Sequence, residues 1–273
     1  MKLTDRLIEA MRSEFGKSKR WYHRSICASL GMLLLSVILV PCSSGISAVI
    51  LGMGLFILPM LLFVSREFSL EHQDRAEYIR RSLMLADALD HKPSKIELAQ
   101  LKIDVGSIDR SEPLFDKRYY DSKIAVGPSR LIDILAESAF FTHNLSKRVA
   151  YILGGIICVG VVGLFFVLYM LLSIPVGHEI SLVVAKWAAL VMSFLAAGDF
   201  SYLFRRSFCL SIASKNVLSK SDVFIKNGNI SAEDAMELAD EYNCAVIQSP
   251  PIPGAIYKYM LKSLNEAWRK RQS

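Results

Sequence analysis

The chain has 273 residues, of which 52% are apolar and 21% charged, and it carries 32 Lys and Arg against 26 Asp and Glu. A mean hydropathy of +0.34 is high for a soluble protein, yet the charged fraction is ordinary, so the charges must be segregated from the apolar residues. The net charge of +6 does not mark a partner of nucleic-acid polymer type: Arg66–Arg148 holds 14 acids against 14 bases, so no dense basic patch stands out there.

In chain order, residues 1–24 form a basic leader with Lys2, Arg6, Arg12, Lys17, Lys19, Arg20 and Arg24 against three acids. It adjoins an apolar run, where attraction to anionic lipid and orientation during insertion account for the excess of bases. Leu3, Leu7, Ile8, Met11 and Phe15 recur at helical spacing. They predict an amphipathic helix that either lies in the membrane interface or packs against the cytoplasmic segment. Trp21 and Tyr22 stand where an aromatic belt anchors a span.

Ser25–Ser65 contains no charge and is about twice the roughly 20 residues that one membrane span needs. Pro41-Cys42-Ser43-Ser44-Gly45 supplies a turn in its middle, which predicts a hairpin of spans over Ser25–Val40 and Ile46–Val64. Leu39-Val40-Pro41-Cys42 superficially resembles a lipoprotein cleavage site. Proline directly before the cysteine, the long leader and the second apolar run argue against cleavage, so Met1 is expected to stay attached.

Glu67–Asp90 reads as a charged helix with Ile79, Leu83 and Ala86 on one face, ended by His91-Lys92-Pro93-Ser94. A shorter helix over Lys95–Leu101 and a loop over Asp104–Tyr120 follow. After Gly127-Pro128, Ser129–Ile174 lacks proline altogether; continuous, it predicts a rod of roughly 70 Å. Gly154 and Gly155 fall near its membrane entry. Val149–Gly177 and Ile180–Gly198 form a second apolar pair divided by Pro175-Val176-Gly177-His178-Glu179, with spans over Val149–Ile174 and Ile180–Gly198. The tail predicts one helix from Ser231 to Cys244, an extended joint at Pro250, Pro251 and Pro253, and a last helix over Gly254–Lys270.

Seven Lys and Arg precede Ser25, 14 lie in Arg66–Arg148 and 10 follow Gly198, leaving only Lys186 inside a predicted span. The positive-inside rule then places both termini and the central segment in the cytoplasm. The expected protein is an all-α integral membrane protein with two transmembrane helical hairpins. Its parts are a leader (1–24), a first hairpin (25–65), a mainly helical cytoplasmic segment (66–148), a second hairpin (149–198) and a helical tail (199–273).

Lys186 is the first candidate site residue, because a lysine inside a span costs about 2.5–3.5 kcal/mol on insertion scales. It faces the lumen of a bundle or oligomer, or its amine snorkels to the headgroups. Ala185, Ala189, Ser193 and Ala197 repeat every four residues on the same helix, a smooth strip for helix packing. Asp199 meets Arg205 or Arg206 or sits at the cytoplasmic surface, and Ala150 and Gly154 continue the four-residue spacing on the third span. Cys27, Cys42, Cys158, Cys209 and Cys244 lack metal-ligand spacing and imply no disulfide framework. Histidines 23, 72, 91, 143 and 178 are scattered, and no phosphate loop, zinc-protease helix or nucleophile elbow occurs, so neither an enzyme nor a cofactor or metal is expected.

Two cytoplasmic segments carry a resemblance. One is Arg118-Tyr119-Tyr120-Asp121-Ser122 followed by Gly127-Pro128-Ser129-Arg130-Leu131 and Glu137-Ser138-Ala139-Phe140-Phe141-Thr142. The other is Glu241-Tyr242-Asn243, then Pro251-Ile252-Pro253, Tyr257-Lys258 and Leu264-Asn265-Glu266-Ala267-Trp268. With two hairpins around a cytoplasmic insert, the chain resembles the four-transmembrane pore-forming effectors associated with bacterial second-messenger nucleotidyltransferases. The resemblance covers nearly the whole chain and implies an antiphage role, in which a cyclic or linear oligonucleotide signal triggers permeabilisation of the inner membrane. It implies a homo-oligomer and transfers no catalytic residue. Where an arginine-rich ending is expected after Tyr257, this chain has Met260 and Leu261, so no ligand contact is assigned there. A non-lethal membrane-anchored sensor or scaffold with a cytoplasmic docking domain is the alternative.

Overall fold

The computed structural model describes residues 3–39, 46–90, 120, 122–173, 177–197, 199–228, 230–247 and 249–272. Every regular element among them is α-helical: α1 (Leu3–Leu39), α2 (Ile46–Leu89), α3 (Pro128–Ser173), α4 (His178–Ala197), α5 (Asp199–Asn227), α6 (Ala232–Ile247) and α7 (Gly254–Gln272). The turn expected at Pro41–Gly45, the helix at Lys95–Leu101, and the loop Asp104–Tyr120 except its last residue lie outside the described residues, as does Pro175-Val176.

α1 joins the amphipathic leader to the first apolar run, and α2 joins the second apolar run to the charged helix, where the sequence reads separate elements. The backbone ladder is indifferent to side-chain polarity, so a change of composition without a helix breaker does not interrupt it. Pro59 lies inside α2. α3 is the long uninterrupted helix expected from the proline-free stretch, with 46 residues.

α5 is an element for which the sequence reading has no counterpart. Its buried stripe is Leu203, Ser207, Leu210, Ser214, Val217 and Ser221, spaced alternately by four and three residues. Half of that stripe is serine, which masks the apolar repeat while giving a narrow seam for close helix approach. Asp199 opens α5 instead of closing α4, which ends at Ala197. Gly228 (φ 69°) donates its N–H to the Phe224 carbonyl at 3.1 Å and closes α5 in the left-handed conformation that glycine adopts without steric cost. The expected start of α6 is present: the Asp234 N–H donates to Ser231 Oγ at 3.0 Å.

The described chain divides into two compact units, residues 1–19, 70–148 and 207–273 in the first and 20–69 and 149–206 in the second. The first has a core of Met84 and Ala88 from α2, Leu131, Ile132, Leu135 and Ala139 from α3, Val217 from α5, Leu238 and Tyr242 from α6, and Trp268 from α7. Leu7 and Met11 of α1 are buried against Ile79 and Leu83 of α2, so the apolar face of the leader is covered by protein.

In the second unit, α1 and α2 run antiparallel. Trp21 stacks on Phe68 with centroids 4.9 Å apart, and Gly31 and Gly54 face Leu58 and Leu35 in turn. Leu164 of α3 packs with Ala188 of α4, joined by Val161, Leu168, Val191 and Met192. Arg24 lies over Trp21 at 4.3 Å, while Arg66 and Arg206 lie over Tyr202 at 4.7 and 5.4 Å, a set of cation–π contacts. Among the described residues, two helical stretches are long and apolar enough to cross a membrane, Leu7–Ile38 and Pro128–Met170; Leu182–Met192 is a shorter apolar run.

Arg130, the third residue of α3, is fully buried. Its Nε donates to the Asp87 carbonyl at 3.0 Å, Nη1 to the carbonyls of Ser122 (2.6 Å) and Ile124 (2.9 Å), and Nη2 to Asp87 Oδ1 at 3.0 Å. The chain before α3 is thereby tied to the end of α2, with Gly127 donating to the Ala88 carbonyl at 2.8 Å. Removing one partner of a buried pair strands the other, so Arg130→Met is expected to destabilise the first unit by about 3–5 kcal/mol in denaturant titration. Arg130→Lys should recover little of this, because one ammonium cannot reach acceptors fanned around a planar fork.

Candidate functional site

Lys186 is exposed on α4, and so is the neighbouring Ala185. The face that α4 buries is instead Ala188, with Val191 and Met192 beside it. Side chains of Ala189, Ser193, Ala197 and Asp199 lie outside the described residues. On α3, Ala150 is fully buried, and Gly154 faces the ring of Phe204 so closely that a Cβ would lie 3.1 Å from Cε2. Trp187 Nε1 donates to the Val37 carbonyl at 3.0 Å, which links α4 to α1 within the second unit.

Among the described residues no group of three or more His, Cys, Asp or Glu could hold a metal ion. Cys27, Cys158, Cys209 and Cys244 are free and exposed. His72 Nδ1 meets the buried Glu14 carboxylate at 2.6 Å, and Lys17 reaches the other oxygen of that carboxylate at 2.6 Å. His143 accepts or donates at Ser211, 3.0 Å from its Oγ. Both histidines bridge helices of the first unit.

A concavity of about 640 Å³ lies wholly within the first unit. α1 contributes Met11, Arg12, Phe15, Gly16 and Lys19, at a spacing that keeps them on one face. α2 contributes Gln73, Glu77 and Arg80. Residues of two separate cytoplasmic segments meet here from distant parts of the chain: Tyr120, Glu137, Ser138, Phe141 and Thr142 from one, and Tyr242, Pro251, Ile252, Tyr257 and Asn265 from the other. Sequence spacing alone brings none of them together, since they reach the pocket from α3, α6, α7 and the joints between helices.

One wall is a dense polar network. Arg80 pairs with Glu77 and donates from Nη2 to Asn243 Oδ1 at 3.0 Å, with its guanidinium 5.2 Å from the Tyr242 ring centroid. Burial, the largest single influence, works against the Arg80 charge, but Glu77 together with the Tyr242 and Tyr120 phenols outweighs it and raises the pKa, so the group stays protonated. Burial raises the Tyr242 phenol pKa, against the pull of Arg80. That phenol bonds Thr142 Oγ1 at 2.7 Å and donates to the Ser138 carbonyl at 3.2 Å. Gln73 Nε2 donates to the Ser249 carbonyl at 2.6 Å and holds the proline joint, while its buried Oε1 has no hydrogen-bond partner. An orphaned buried acceptor costs about 1–3 kcal/mol.

The α1 part of the lining is less self-sufficient. Arg12 is exposed and Lys19 half-buried, and neither has a carboxylate partner among the described residues. The Tyr120 N–H donates to Asp87 Oδ2 at 3.1 Å, so the carboxylate that anchors Arg130 also sets this edge of the pocket. Sequence reading treats Arg12 and Lys19 only as part of a lipid-facing basic leader. The signal that distinguishes them is their seven-residue interval on the face shared with Phe15 and Gly16.

Gly16 has open space where a Cβ would stand. A mid-helix glycine costs about 0.5–1 kcal/mol relative to alanine, so Gly16→Ala is expected to stabilise the protein by that amount, read as a raised midpoint of thermal or chemical unfolding in detergent. No family model, curated protein or solved structure matches this chain.

Proposed function

We propose that this chain is a pore-forming effector of bacterial antiphage defence, which permeabilises the inner membrane when a nucleotide signal reports infection. Four spans, near Ser25–Val40, Ile46–Val64, Val149–Ile174 and Ile180–Gly198, carry both termini and the polar segments on the cytoplasmic side. The protein acts without catalysis, as an oligomer in the lipid bilayer.

The observation that carries this reading is the exposure of α3. Over Pro128–Met170 its most apolar window is only 6% buried. Val159 is 74% exposed, and Val162, Phe165, Phe166 and Tyr169 lie bare beside it. The core helix of a soluble protein would be covered, and an apolar sheath of this extent belongs against hydrocarbon or another copy of the chain. Supporting the oligomer, Ala185 and Lys186 are both exposed on α4. A lysine in that position gains most from a shared, hydrated lumen.

Induced expression in bacteria loaded with a membrane-potential dye tests the reading. Wild-type chain is expected to depolarise cells within one doubling, and Lys186→Leu and Ala189→Leu to abolish the effect at equal membrane abundance. An inert anchor, as in a sensor or scaffold, would leave potential and growth unchanged. Reporters fused after Arg148 and at Ser273 are expected to be active only in their cytoplasmic form; a periplasmic signal from either would overturn the four-span arrangement.

A further inference from the structure

Two unlike surfaces of the first unit carry groups that its own fold leaves unanswered. Between α5 and α6 lies a groove of about 430 Å³ with Val223, Phe224 and Leu238 in its lining. Val223 is 56% exposed there, a bare apolar side chain. The α6 side of the groove is acidic. Asp234 is engaged with Ser231, and Glu241 with Lys220. Glu237 is exposed and has no partner among the described residues, and the same holds for Glu233 one turn before it. α7 presents the counterpart. Lys258, Tyr259 and Lys262 share one exposed arc of its first turns, and neither lysine has a carboxylate partner among the described residues. Tyr259 is 78% exposed, while Leu264 and Trp268 turn the other side of α7 into the core. Glu266 lies one turn beyond Lys262, so the positive charge is concentrated in the N-terminal half of that face.

We infer that the occupant of the α5–α6 groove is α7 of a second copy of the chain, with Tyr259 laid over Val223 and Phe224 and with Lys258 and Lys262 paired to Glu233 and Glu237. The spacings agree: each charged pair is separated by four residues, about 6 Å along its helix axis, so both ion pairs come into register together. A tyrosine standing bare beside an apolar groove is the kind of side chain that anchors protein interfaces. A second copy answers both surfaces at once. An anionic bilayer would take the lysines but repel the acidic side of the groove, and would leave Val223 uncovered. Because the surfaces are unlike, each copy keeps one groove and one α7 for its neighbours, and the contact closes into a ring about the membrane normal. It is separate from the small-residue strip of α4. Exposed ion pairs contribute little singly, so the contact depends on copies being confined to one bilayer, which raises their effective concentration. To that extent it rests on the membrane reading proposed above; it does not require a pore.

The test uses the full chain in bacterial membranes, expressed as two differently tagged copies with a benzophenone cross-linker in place of Tyr259. Irradiation is expected to join unlike-tagged copies, with the acceptor mapped by mass spectrometry to residues 219–241. Cross-links to lipid alone would assign this face to the bilayer surface and overturn the inference, as would acceptors confined to the same copy or to other segments. Charge reversal supplies a second measurement. Glu233→Lys with Glu237→Lys, and separately Lys258→Glu with Lys262→Glu, should each lower the yield between copies at least about tenfold, since two attractive pairs become repulsive. Co-expression of the two variants should restore the wild-type yield, because reversed groove then meets reversed helix and native groove meets native helix. Misfolded chains would not produce that rescue, and a mixture no better than its parents overturns the contact. Failure of the pore reading is separable: cross-linking with rescue in cells that keep their membrane potential sinks the pore and leaves the contact. Depolarisation by copies that never cross-link does the reverse.

Discussion

A guanidinium with no access to water must find its acceptors inside the protein, and the first unit is organised around the one at Arg130. It gathers the Asp87 carboxylate and three carbonyls around one side chain, and so fixes how the chain leaves α2 and enters α3. The second oxygen of Asp87 accepts from the Tyr120 backbone, and Ser122 is held in turn by Asp133 at 2.6 Å. A buried ion pair of this kind adds less to net stability than its contacts imply, because desolvating both charges offsets most of the attraction. What it secures is a single geometry. Tyr120, and through it one edge of the pocket, inherits its position from that geometry.

Much of the helical plan could be read from residue order because it rests on local physics. Proline-free apolar length gave α3, Ser231 with Asp234 marked the start of α6, and the prolines at 250, 251 and 253 separated α6 from α7. Elements were obscured where two signals conflicted. α5 buries serine at every second position of its stripe, so an amphipathic reading based on apolar residues alone passes over it. The fusions in α1 and α2 were obscured for the opposite reason: a strong change of composition looks like a boundary, while the backbone continues through it unbroken.

The pocket was less legible than the fold. Its polar wall depends on contacts between residues more than 150 positions apart, such as Arg80 with Asn243 and Gln73 with Ser249. No periodicity encodes those pairs. The soft motifs of the two cytoplasmic segments did contain several lining residues, yet as residue types they are structural, and only their convergence gives them a shared chemistry. The basic leader is a similar case. Its apolar face is covered by Ile79 and Leu83 of α2, which leaves Arg12 and Lys19 to face a cavity on an adjacent side of the same helix.

Pro59 deserves a mechanical reading. It sits in the apolar half of α2 with its neighbours Met60 and Leu61 bare. Having no N–H, it leaves the carbonyl one turn earlier without the rung that the ladder would otherwise supply, and its ring crowds that same turn. Bending stiffness is therefore reduced at this point. Any torque applied to the helix would be absorbed first at that site, which makes it the natural fulcrum of the segment.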